Sequence, residues 1–211
     1  SFGFVLVTRP KNRSNFKLLL AFSGAFLLAL TIFELLPEVY EKSNGKTVGL
    51  FIMSGILLQI FLEFFSKGAE HGHVHIDSEK SDFPILVFFS LCIHSLLEGF
   101  PIDNGGTILY GILIHKVPIA IILSIFLLNS KVKLSNVILF IVLFSLMTPL
   151  GTYFAATFDT IAKYYIPITS LVIGVFLHIS TVILFESSEG HTFNLRKLAV
   201  IVLGIAIAYF V

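Results

Sequence analysis

Two histidines and a glutamate stand in hydrophobic sequence where ionisable groups are costly. The segment His94-Ser95-Leu96-Leu97-Glu98-Gly99 is followed by Asn104-Gly105-Gly106, a turn signal, and then by His115-Lys116-Val117-Pro118. A charge at membrane depth marks a functional site by default. His94 and Glu98 are four residues apart, so one helix face carries both. Glu98 is six residues before Asn104, His94 ten before it, and His115 nine after Gly106. At about 1.5 Å per residue, a helical hairpin returns all three side chains to roughly 10–15 Å below the turn. Two imidazoles and a carboxylate at one depth can hold Zn²⁺. A single membrane histidine is equally well explained by a neighbouring carbonyl or Ser. The three together are not, because Glu98 needs a cationic partner. Prolines stand beside the ligands on both arms. Pro101 cannot donate to the Leu97 carbonyl, nor Pro118 to that of Ile114. Freed oxygens are tolerated in a membrane where they face protein or a water-lined path.

The elements that must position these groups are membrane helices. The 211 residues are 56% hydrophobic and 13% charged, with mean hydropathy +0.95. A soluble domain carries about 25% charged residues. The net charge of +1 gives no reason to expect nucleic acid as a partner. One cysteine, Cys92, excludes an internal disulfide and a Cys-rich zinc module. Phe is abundant at 23 residues and Trp is absent, which suits a lipid-facing surface. Hydrophobic runs near spanning length occupy 17–38, 47–66, 83–102, 106–128, 135–157, 165–186 and 195–211. Residues 2–8 read as the tail of an eighth helix cut at its start. The first residue is Ser, so the N-terminus is expected to be processed or truncated, and no cleavable signal peptide is evident. The runs lack the alternation of barrel strands. The expected fold is an all-α membrane protein, an eight-helix bundle forming a single domain over 1–211. Residues 67–82 are expected to form a cytoplasmic His-rich loop.

Lys and Arg set the orientation. With the Arg9–Lys17 loop cytoplasmic, ten of the fourteen basic residues lie inside. That puts both termini outside. Tyr40, Tyr110, Tyr153, Tyr164 and Tyr165 fall near span ends, as interface anchors would. The run beginning Gly24-Ala-Phe-Leu also aligns with the one beginning Gly174-Val-Phe-Leu. The two spans run in opposite directions, as in the inverted repeats of secondary transporters.

The paired pattern His-Ser-x-x-Glu-Gly and His-Lys-x-Pro resembles the fourth and fifth transmembrane helices of the ZIP (Zrt/Irt-like) family of divalent-metal transporters. Phe33-Glu34-Leu35-Leu36-Pro37-Glu38 is similar to the end of that family's second helix. The Gly174–Glu186 stretch is similar to its seventh. Glu70-His71-Gly72-His73-Val74-His75 stands where many members carry a His-rich loop. The resemblance implies eight helices in a 3+2+3 arrangement, alternating access, and metal uptake into the cytoplasm, which for this chain reads as import across the plasma membrane. It makes His94, Glu98 and His115 the principal ligands, with Ser95 a weaker one. Many members carry a carboxylate or amide directly after the fifth-helix His and a Glu four residues past it. Here those positions are Lys116 and Ile119. Oxygen ligands are lost and a cation gained, so one metal is expected, with Lys116 able to pair with Glu98 or Glu63.

Glu63, one turn from Gln59, and His178, near Ser180 and Thr181, are candidates to line the conduit; helix packing is the other reading of Ser180 and Thr181. Asp103, with Asn104, could attract cations at the outer mouth or simply make the turn. His71, His73 and His75 can hold Zn²⁺ weakly in a solvated loop. The expected cargo is Zn²⁺, with Fe²⁺, Co²⁺, Cd²⁺ and Mn²⁺ as alternatives by ligand type. No cofactor is expected, nor any enzymatic activity. The partners are the metal ion and the lipid bilayer, with a homodimer left open. Two rivals remain. An intramembrane zinc hydrolase would want His-Glu-x-x-His, which is missing from the sequence. A haem-binding electron carrier would use His94, His115 or His178 as axial ligands, with Glu98 a poor neighbour.

Overall fold

A computed structural model describes residues 3, 5, 13–66, 84–102, 106–186 and 195–211. Among them every regular element is helical. These are α1 (Arg13–Leu30), a π turn (Thr31–Leu35), α2 (Leu36–Lys42), α3 (Gly45–Ser66), α4 (Ile85–Leu97), α5 (Thr107–Asn129), α6 (Leu134–Thr157), α7 (Asp159–Lys163), α8 (Tyr165–Glu186) and α9 (Leu195–Phe210). Uninterrupted apolar sequence must satisfy its own backbone in lipid, and a helix does so within one segment. Among the described residues, five stretches of 21 to 27 residues are long and apolar enough to cross a membrane. The first is Phe16–Lys42, in which the π turn joins α1 to α2 without a break. There the Leu36 N–H donates to the Thr31 carbonyl, a widened turn just before Pro37.

Two features differ from the sequence expectation. The span expected over 83–102 is helical only over Ile85–Leu97. Its last turn tightens, with Gly99 N–H donating to Leu96 O and Phe100 N–H to Leu97 O, both at 3.1 Å. The Leu97 carbonyl is therefore not freed by Pro101, because Phe100 takes it from three residues away. Pro118, in contrast, lies buried inside an otherwise continuous α5.

α5 is the central element. Ile108 and Ile112 join Phe26, Leu30, Ile52 and Phe176 in one core cluster. Leu123 and Leu127 pack with Val87, Leu91, Phe140 and Phe144 in a second. Ile119 packs with Leu20, Val175 and Ile179 in a third. A helix apolar on all sides belongs at the centre of a bundle.

Glycine permits two close helix crossings. A methyl group on Gly174 of α8 would sit 3.0 Å from Gly55 Cα of α3 and overlap the Ile52 carbonyl oxygen. A methyl group on Gly99, just past α4, would sit 3.0 Å from Gly151 Cα of α6 and overlap the Thr148 carbonyl oxygen. Small residues at such crossings let membrane helices pack by van der Waals contact. Of the aligned pair Gly24 and Gly174, the first packs on Ile183 of α8 and the second on Gly55 of α3. Tyr40, Tyr110, Tyr153 and Tyr164 are exposed, whereas Tyr165 is half-buried with its hydroxyl 3.4 Å from Glu38 Oε2.

Candidate metal centre

His94 lies near the end of α4, with Glu98 one turn on and His115 at the middle of α5. All three are buried, and one ligand atom from each lies within 4.8 Å of the others. His94 Nε2 is 2.9 Å from Glu98 Oε1, and His115 Nε2 is 3.9 Å from the same oxygen. Ligands of a tetrahedral zinc with bonds of about 2.0–2.2 Å stand roughly 3.3–3.5 Å apart. Small side-chain shifts bring this trio to that spacing. Its donor set, two imidazoles and a carboxylate, is one that zinc accepts.

The cation beside the trio is Lys116. Its ammonium contacts the second oxygen of the carboxylate, Nζ to Glu98 Oε2 at 2.5 Å, and donates to Ser95 Oγ at 2.8 Å. It also lies 5.1 Å from the centre of the Phe144 ring. Glu98 is thus shared between two imidazoles and an ammonium inside the protein. Any divalent ion that takes Glu98 competes with that ammonium.

α6 braces the α4 end, a role the sequence reading missed. The tightened turn sends the Gly99 N–H to Leu96, which leaves the Ser95 carbonyl without its usual helical donor. Thr148 Oγ1 donates to that carbonyl at 2.8 Å and lies 3.0 Å from Ser95 Oγ. Thr152 Oγ1 donates to Gly99 O at 2.9 Å. Thr148, Gly151 and Thr152 share one α6 face, and that i, i+3, i+4 spacing of small and polar residues was the available signal.

The remaining sequence candidates are placed as follows. Ser95 is buried, held by Lys116 and Thr148. Glu63 and His178 form a pair of their own between α3 and α8, with His178 Nε2 2.6 Å from Glu63 Oε2. The alternative Glu63–Lys116 pairing is therefore replaced by Glu63–His178 and Glu98–Lys116. Thr181 returns its hydroxyl to the Leu177 carbonyl of its own helix. Asp103, Asn104, His71, His73 and His75 lie outside the described residues.

Part of this chain is similar to a known protein. The zinc transporter ZIP1 of Danio rerio is 38% identical over 93 residues. This chain is similar to a zinc transporter over part of its length. The match covers 40% of this chain and spans only 30% of that relative. No family model matches the chain, and no solved structure does.

Proposed function

We propose that this protein carries a divalent cation, Zn²⁺ first among the candidates, across a membrane. His94, Glu98 and His115 bind the ion on the way. The observation that carries this reading is the convergence of the three buried side chains within a bundle of membrane-length apolar helices. The partial likeness to a protein named as a zinc transporter supports it. The resemblance to the ZIP family makes that transport inward across the plasma membrane, and the basic-residue bias puts both termini outside.

The mechanism is an exchange of cations at Glu98. Lys116 neutralises the carboxylate, and the ion displaces the ammonium as it gains both imidazoles. At an effective dielectric of about 20, unit charges 4 Å apart interact by roughly 4 kcal/mol, and a divalent ion doubles that. The ammonium therefore opposes a second metal, and the site takes one. Release follows when the helices bearing the ligands move against their neighbours and open the site to the other side. The aligned Gly24 and Gly174 runs fit an inverted-repeat 3+2+3 arrangement for that motion. The Glu63–His178 pair lines the conduit beyond the site. The bound ion is cargo, so no chemical transformation is assigned.

The test is the metal count. Anomalous scattering from metal-soaked crystals should show one ion between α4 and α5. Two ions within about 5 Å of each other would contradict the repulsion by Lys116.

A further inference from the structure

Gln59 is fully buried on α3, yet neither its Oε1 nor its Nε2 has a hydrogen-bond partner among the described residues. A buried amide left unsatisfied is costly, and each such group calls for an explanation. His94 Nδ1 is likewise buried without a partner. These two orphans are complementary. When a cation sits on Nε2 of His94, the ring proton must be on Nδ1, and metal-bound imidazoles almost always donate that N–H to an oxygen. Gln59 Oε1 is an acceptor lacking a donor.

The helix register places the two at a similar depth. Ser90 Oγ of α4 donates to the Leu62 carbonyl of α3 at 2.7 Å. Leu62 is near the end of α3 and Ser90 in the first half of α4, helices consecutive in the chain, which we pair antiparallel. From that contact Gln59 is three residues back along α3, and His94 is four residues forward along α4. Those steps rise about 4.5 and 6 Å in the same direction, so the two residues reach nearly the same depth. Gln59 shares the buried face of α3 with Leu62, and His94 the face of α4 with Ser90.

We propose that Gln59 is a positioning residue for the metal centre: its side-chain oxygen accepts the Nδ1–H of His94 and holds Nε2 toward the ion. This rests on the metal-centre reading above. It adds a residue from α3, so that three helices rather than two build the site.

The test uses the full chain in detergent with His71, His73 and His75 replaced by Asn, which removes loop binding. Zn²⁺ affinity is measured by competition with a chelator. Gln59→Leu should weaken binding by about 10–100-fold, and Gln59→Glu, which keeps the acceptor, should restore most of it. Wild-type affinity in a folded Gln59→Leu protein would overturn the proposal. X-ray absorption showing an oxygen neighbour of zinc lost in Gln59→Leu, with both imidazoles retained, would also overturn it by making Gln59 a direct ligand. Should Gln59→Leu not fold, nitrogen-15 histidine spectra of the zinc-loaded protein decide the question. A hydrogen-bonded Nδ1–H on His94 is expected, and an unprotonated Nδ1 overturns the proposal. His94→Ala is the separate control: undiminished zinc affinity there would sink the metal centre itself, whatever Gln59 does.

Discussion

In the proposed transport, the chemistry turns on which cation Glu98 holds. Its carboxylate touches His94, His115 and Lys116 at once. Of these, the Lys116 ammonium lies nearest, 2.5 Å from the carboxylate. Lys116→Met should keep uptake while lowering the Zn²⁺ concentration at half-maximal rate by about tenfold or more, since the competing charge is gone; loss of uptake in a folded protein would show that Lys116 does more than compete. Thr148→Val keeps the shape of the side chain but leaves the Ser95 carbonyl unpaired. It should cost about 1–3 kcal/mol, read as a lower melting temperature in detergent. The trio and Lys116 were legible in the sequence because buried charge in an apolar run stands out. Thr148 was not, because a threonine in a membrane helix most often bonds its own backbone, as Thr31 does to Leu27 and Thr181 to Leu177. Its partner came into reach only through the tightened end of α4, a local geometry that no periodicity reports.

Hydropathy located most elements well. The expected runs 106–128, 135–157 and 165–186 correspond closely to Thr107–Asn129, Leu134–Thr157 and Tyr165–Glu186. The exception was α4, expected over 83–102 and ending at Leu97. Phe100 and Ile102 extend the hydrophobic run past Glu98, but Gly99 and Pro101 end the regular ladder. Pairing between helices was illegible, since in lipid it depends on which small residues meet rather than on hydrophobicity. Gly55 against Gly174 is such a meeting. Gly55→Ala would drive a methyl group into the Leu171 carbonyl, and backbone cannot swing aside as a side chain does. The substitution should cost about 1–3 kcal/mol. Gly49, with only the Tyr40 hydroxyl nearby at 4.0 Å, should accept Ala with a melting temperature close to wild type. Equal losses at both positions would argue against the α3–α8 crossing.

At the scale of the molecule, three core clusters meet on α5, and the candidate site lies between that helix and the end of α4. Segments away from this centre should tune transport without creating it. Replacing His71, His73 and His75 together should leave most uptake intact while reducing weak metal binding; complete loss in a well-expressed triple variant would move the essential site into the loop. The most direct measurement is zinc entry into proteoliposomes holding purified protein and a zinc-sensitive dye. Wild-type protein should give saturable entry, and Glu98→Ala protein, inserted at the same level and folded, should give none above empty vesicles. Equal zinc entry through wild-type and Glu98→Ala protein would contradict the assignment of transport to this site.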